Sequence, residues 1–264
     1  MSCCNREPKR HCRRSAFFVE QGVRKTAKND ERRHKGDTHF HFLSLLWPAC
    51  CPACGRVTQK RCRLCRKCAE ENEELDAVCL SCGLPKDNCS CLKNKLDLNL
   101  VAVYPYRNGV GKAIRAIKFN GELDKLDFFA LKMADRFRAV FPAASIDLVA
   151  YVPMTKRGYL KRSYNQSAEL AKRIAKQIGS KYGRRVLVKT KETANQHHLS
   201  EKQRLKNVKG AFAVRRKSDV SGKTVLLCDD IKTTGATLSE CKNELMKAGA
   251  KQVYCVTVAV TLKD

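Results

Sequence analysis

The sequence predicts an α/β domain on a mostly parallel sheet, preceded by a small cysteine-dependent module. From residue 98 onward, apolar runs of strand length alternate with segments of helical periodicity, the order that a parallel sheet with crossover helices requires. Ten of the 16 cysteines fall between Cys50 and Cys91, and only three follow. The 264 residues suit one large or two modest domains, and 43% hydrophobic with 30% charged residues supplies a real core, which excludes a collagen or a disordered chain.

Taken in order, residues 1–39 show no periodicity and include the charged run NDERRHKGD. They are expected to form a disordered basic arm; a nucleic-acid-binding tail or an over-extended start are the alternatives. FHFLSLLW (Phe40–Trp47) is a short apolar brace at the head of a module spanning residues 40–97. The domain of residues 98–264 then begins with a strand, Leu98–Tyr104. A basic helix follows with Val110, Ile114 and Ile117 on one face, and then a helix over Leu123–Phe137. A strand Asp147–Pro153 precedes a helix Asn165–Ile178, closed by Gly179 and carrying the core stripe Leu170, Ile174 and Ile178. Next come a strand Arg185–Lys189, a polar loop, a short helix Glu201–Asn207 and a strand Ala211–Val214. The last unit is strand Thr224–Cys228, helix Ala236–Ala248 closed by Gly249, and strand Gln252–Val260. Cys228, Cys241 and Cys255 occupy apolar positions and read as small buried hydrophobes.

The charge is strongly basic, 53 Lys and Arg against 26 Asp and Glu, and after residue 98 the balance is 33 against 14. That suits an anionic partner: nucleic acid, a phosphorylated metabolite or an acidic membrane surface. No apolar run reaches 18 residues and no secretory signal follows Met1, so no membrane span is expected and the chain is read as cytoplasmic. In that compartment clustered cysteines hold metal more often than they form disulfides.

The cysteines form four close pairs: Cys51 and Cys54, Cys65 and Cys68, Cys79 and Cys82, Cys89 and Cys91. A C-x2-C knuckle turns both sulfurs toward one ion, and Gly55 and Gly83 supply the backbone freedom after two of the knuckles. Cys51, Cys54, Cys65 and Cys68 are therefore assigned to one structural zinc, and Cys79, Cys82, Cys89 and Cys91 to a second. Cys62 competes as a ligand, and an iron–sulfur centre is the chemical alternative.

VLLCDDIKTTGAT (Val225–Thr237) carries the most chemistry. An apolar strand leads into Asp229 and Asp230, and a hydroxyl- and Gly-containing loop then opens a helix whose free N–H groups suit a phosphate. Two carboxylates beside a phosphate loop have a use if they hold ribose hydroxyls and an accompanying metal ion, which points to a pentose 5-phosphate. SGKT (Ser221–Thr224) precedes the strand and is not a Walker loop. His197 and His198 read as exposed polar residues.

This segment resembles the phosphoribosyl pyrophosphate (PRPP) signature of type I phosphoribosyltransferases, and with the double Cys module ahead of it the chain resembles the ComF family. YRNGVGKAIRAIKFNGE (106–122), VPMTKRGYLKRSYNQSAELA (152–171) and the lid-like KTKETANQHHLSEKQRLKNVKGAF (189–212) match that family too. The resemblance implies a type I phosphoribosyltransferase-like parallel sheet flanked by helices, behind a double zinc ribbon. It implies that Asp229 and Asp230 hold the ribose, and that Lys232, Thr233, Thr234, Gly235, Ala236 and Thr237 wrap the 5-phosphate. A loop with Thr155, Lys156, Arg157, Lys161 and Arg162 would face pyrophosphate, with Mg²⁺ accompanying PRPP. Arg162, Tyr164, Asn165 and Gln166 match a family motif in which Ser163 replaces a Gly; Gln196, Leu199, Arg204 and Asn207 match the lid.

The implied role is a competence accessory that handles incoming single-stranded DNA beside a DNA helicase, with PRPP or a related ribose phosphate as ligand. Lys112, Arg115 and Lys118 would track the DNA backbone, and Tyr104, Tyr106 and Phe119 are candidates to stack on bases, with packing against the core as the plainer alternative. Two other readings remain open: a PRPP-dependent phosphoribosyltransferase of unknown acceptor, and a PRPP-sensing regulator.

Overall fold

The structure, a computed structural model, describes residues 48–58, 63–76, 78–89, 91, 97–191 and 201–262. The basic arm, the apolar brace, Cys62, His197 and His198 lie outside the described residues. Five strands form one wholly parallel sheet: β1 (Leu100–Pro105), β2 (Leu148–Tyr151), β3 (Lys181–Tyr182), β6 (Thr224–Lys232) and β7 (Gln252–Val260), in the order β1-β7-β6-β2-β3. β4 (Leu187–Lys189) and β5 (Phe212–Val214) pair antiparallel as a separate two-stranded flap.

Both faces of the sheet are covered, which is why its strands read as near-continuous apolar runs. On β6, Leu226 and Cys228 face helices α2 (Asn108–Asn120), α3 (Lys125–Val140) and α5 (Gln166–Ile178). Val225 and Leu227 face helix α7 (Ala236–Lys247) and the flap. Val110, Ile114 and Ile117 point inward from α2, as their spacing requires. Cys228, Cys241 and Cys255 are fully buried, and burial pushes the Cys255 thiol up to about 12, as suits core side chains.

α5 follows β2 and α7 follows β6, yet the two helices pack on opposite faces of the sheet. The chain therefore parts between these neighbouring strands, and a crevice opens at their carboxyl ends, where α/β sheets bind ligands. Asn165 shapes its floor. Its Oδ1 accepts from the N–H groups of Ser167 and Ala168 while its Nδ2 donates to the Val152 carbonyl at 3.1 Å, so one side chain caps α5 and ties it to the end of β2.

The cysteine module covers the otherwise open edge of β1. Leu75 N–H donates to Val103 O at 2.8 Å, and Leu100 N–H donates to Leu80 O at 2.6 Å, so the edge presents no long unpaired ladder. Gly83 makes this approach possible: its φ is +71°, and a Cβ there would lie 2.5 Å from Leu100 Cδ2. Helix α1 (Arg66–Glu71) ends at buried Asn72, whose Nδ2 donates to Cys68 O and whose Oδ1 accepts the otherwise orphaned Val110 N–H of α2 at 3.0 Å. Asn72→Ala is expected to cost about 1–3 kcal/mol, because that N–H stays buried without a partner; thermal unfolding of the variant beside the unaltered protein checks it.

Candidate functional site

The crevice is a cavity of about 630 Å³ bounded by the ends of β2 and β6, the Gly158, Lys161 and Arg162 side of α4 (Lys156–Arg162), the end of α2 and the flap. β6 extends four residues further than its apolar run predicts. Asp229 and Asp230 lie inside the strand, because β7 continues alongside with Asp229 opposite Thr257 and Ile231 opposite Ala259. Gly235 takes φ +86° and starts α7, which leaves the first N–H groups of that helix at the cavity.

Two carboxylates are crowded into this half-dry place, and donors from β6, α5 and α2 engage them. Asp229 Oδ1 accepts from Ser167 Oγ at 2.8 Å and from the Asp230 N–H at 2.9 Å. Asp230 Oδ1 accepts from the Ile231 N–H at 2.7 Å, while Oδ2 accepts from Gln166 Nε2 at 3.1 Å and from the Lys118 ammonium at 2.7 Å. Burial, and after it the Asp230 charge, push Asp229 up to about 7. Burial works against the Lys118 ammonium, but the Asp230 carboxylate outweighs it and raises that pKa.

Of the residues expected to hold a ribose phosphate, Asp229, Asp230, Lys232, Thr233, Gly235, Ala236 and Thr237 line the cavity. Thr234 does not; its hydroxyl turns back to accept the Ala236 N–H. Thr155, Lys161 and Arg162 line the opposite side, whereas Lys156 and Arg157 are exposed outside it. The segment expected as a pyrophosphate loop is instead a short helix, because Thr155 Oγ1 caps it by accepting the Gly158 N–H at 3.0 Å. Ser163 closes that helix at φ +64°, a left-handed turn that a Gly takes without strain. Ser163→Gly is therefore expected to stabilise the domain by about 1 kcal/mol, read as a higher melting temperature.

Two further expectations are corrected. Tyr104 is 1% exposed and packs edge-on against Phe129, so it stacks on nothing outside the core. Lys118 is drawn into the cavity by Asp230 rather than lying along an open basic stripe, because a half-buried ammonium beside a buried carboxylate is better paired than solvated. Lys112 and Arg115 remain exposed on α2, and Phe119 is 67% exposed beneath the Arg162 guanidinium, 5.1 Å from its ring centre. Sequence reasoning also missed Ser167 as a partner of the acidic pair, and Lys189 and Phe212 as a wall of the cavity. The lid matches Gln196 and Leu199 lie outside the described residues.

The eight close-paired cysteines gather into two groups of four, Cys51, Cys54, Cys65 and Cys68, then Cys79, Cys82, Cys89 and Cys91, with all sulfurs of a group within 4.8 Å. No disulfide occurs among the described cysteines. Recorded Sγ–Sγ separations are 3.6 Å for Cys54–Cys65, 3.7 Å for Cys79–Cys91, 3.6 Å for Cys82–Cys89 and 3.2 Å for Cys89–Cys91. Four Zn–S bonds of ~2.3 Å at tetrahedral angles place sulfurs about 3.8 Å apart, so each group fits one tetrahedral ion. The C-x-C pair is the tightest, as its single intervening residue dictates.

Comparison with known proteins agrees with this architecture. Residues 164–263 match the phosphoribosyl transferase domain family. The DNA utilization protein YhgH of Salmonella typhi is 30% identical over 207 residues, covering 73% of this chain and 89% of that protein. Competence protein F of Haemophilus influenzae is 27% identical over 195 residues, covering 70% and 81%. Competence protein ComFC of Bacillus subtilis is 21% identical over 199 residues, covering 71% and 79%. No helix among the described residues is long and apolar enough to cross a membrane.

Proposed function

This chain belongs to the ComF family, and from that premise we propose that it is a cytoplasmic accessory of DNA uptake that binds PRPP or a related ribose 5-phosphate and handles single-stranded DNA beside a competence DNA helicase. The cavity carries the reading. Carboxylates at the end of β6 stand next to a Gly- and Thr-containing helix start, and the cations Lys161 and Arg162 stand on the far wall. A sugar with hydroxyls on the acidic pair and a 5-phosphate on the α7 N-terminus would turn its anomeric carbon and any pyrophosphate toward those cations. The acidic pair would accept hydrogen bonds from the ribose hydroxyls, while Gln166 and Ser167 hold the two carboxylates in place.

The two Cys4 groups would hold zinc, each ion cross-linking its knuckles and so fixing the module on β1. For DNA, support comes from the relatives' names, from 33 Lys and Arg against 14 Asp and Glu after residue 98, from exposed Arg115, Lys161 and Phe119 that line the cavity, and from exposed Lys112, Lys156 and Arg157 on the same two helices. Fluorescence anisotropy with labelled single-stranded DNA tests the role. Affinity should fall at least ~10-fold between ~50 and ~200 mM salt, as counterion release over a few phosphates requires. PRPP binding with no DNA affinity at either salt would replace the accessory role with an enzyme or a sensor.

A further inference from the structure

A ribose pyrophosphate ordinarily carries Mg²⁺, and paired carboxylates are a donor set that such an ion uses, in near-ideal octahedral geometry at about 2.0–2.1 Å. The pair in this cavity does not fit that ion. Asp230 Oδ2, the oxygen that faces α2, already meets the Lys118 ammonium at 2.7 Å and the Gln166 amide at 3.1 Å. Asp230 Oδ1 and Asp229 Oδ1 are turned to N–H and O–H donors of β6 and α5. A metal ion at the pair would have to displace a cation that is itself held in place.

Lys118 does not swing freely. It follows Ile117, which is buried against the sheet and whose carbonyl accepts the Tyr164 hydroxyl. Its side chain is 21% exposed and the Asp230 side chain 9%, so neither charge is well served by water. The charge balance points the same way: the Lys118 ammonium pairs with Asp230 and offsets the charge that would attract a divalent ion.

We propose that Lys118 is the resident cation of the Asp229–Asp230 pair, standing where a divalent ion would stand, so that the cavity takes the ribose of a pentose 5-phosphate with no metal at that pair. The inference rests on the ribose-phosphate reading above, and it names Lys118 as the positioning residue that sets the metal requirement. Any Mg²⁺ that travels with PRPP is then confined to its pyrophosphate, away from the carboxylates.

Two measurements on the zinc-loaded full chain separate the assignment from the reading beneath it. The first is Mn²⁺ titration followed by electron paramagnetic resonance. The unaltered protein should show no Mn²⁺ bound at the pair up to ~1 mM, whereas Lys118→Met should bind one ion at least ~10-fold more tightly, and Asp230→Asn added to that variant should abolish it. The second is calorimetry with ribose 5-phosphate, which lacks the pyrophosphate, in buffers with and without Mg²⁺. The unaltered protein should give the same affinity within ~2-fold in both, and Lys118→Arg should keep that independence. Mn²⁺ bound by the unaltered protein and lost in Asp230→Asn overturns the proposal, as does a ~10-fold gain in ribose 5-phosphate affinity on adding Mg²⁺. If ribose 5-phosphate binds in neither buffer, the ribose reading fails, and the Mn²⁺ titration alone decides the cation assignment.

Discussion

Asp229→Asn combined with Asp230→Asn is expected to weaken PRPP binding at least ~100-fold, because the hydrogen bonds from ribose hydroxyls to the acidic pair, each worth about 1.5–3 kcal/mol where the acceptor is charged, are lost together. Zinc content should stay at two ions per chain, since the cysteine groups are built from residues 51–91 and touch neither carboxylate. The loss has a counterpart in stability. Folded Asp229, pushed up to about 7 from 3.8, holds a proton that the unfolded chain has released between about pH 4 and 7. Stability therefore falls as pH rises through that window, and the ionised carboxylate destabilises the fold above it. Asp229→Asn alone should raise the melting temperature at pH 8 by ~2–4 °C, the shift that ~1 kcal/mol gives a domain of this size, and change it little at pH 4. A site that binds less while folding better is the signature of carboxylates kept for a ligand.

Removing the metal should have the other large effect. Structural zinc contributes ~10–16 kcal/mol to the folding of small zinc-finger peptides, and the module here has only a small satellite core, with Leu75, Val78 and Leu84 beside the second cysteine group. Excess chelator is expected to unfold the module and bare the β1 edge, which then pairs between chains. The readouts are a collapse of the melting temperature and the appearance of large aggregates by light scattering. Cys82→Ser should lower the zinc content from two to one and leave the first group filled, since no sulfur is shared between groups.

Much of this architecture is legible in the sequence wherever the determinants are local. The close cysteine pairs, the Gly179 terminator at φ +75°, and β7 over Gln252–Val260 follow from spacing and composition within a few residues. The carboxyl end of β6 is not legible that way: Asp229 and Asp230 read as the exit from a strand, and only the ladder with β7 keeps them in it. β3 is two residues long and too short for any period to register. α4 is hidden from the sequence because a seven-residue basic helix with no buried residue has no apolar face to announce it. The site shows the same division. Asp229, Asp230 and the loop to Thr237 are contiguous and recognisable, but the link from Asp230 to Lys118 spans 112 positions and that from Gln166 to Asp230 spans 64. Nothing near Lys118 distinguishes it from Lys112 or Arg115; packing of Ile117 and a buried carboxylate select it.

The measurement that bears most directly on the cavity is calorimetric titration of the zinc-loaded protein with PRPP. The account predicts a saturable one-to-one heat that disappears when Asp229 and Asp230 are both Asn. A folded protein with two zincs that gives no heat up to ~1 mM PRPP, or one that binds PRPP equally well after the double substitution, would contradict it.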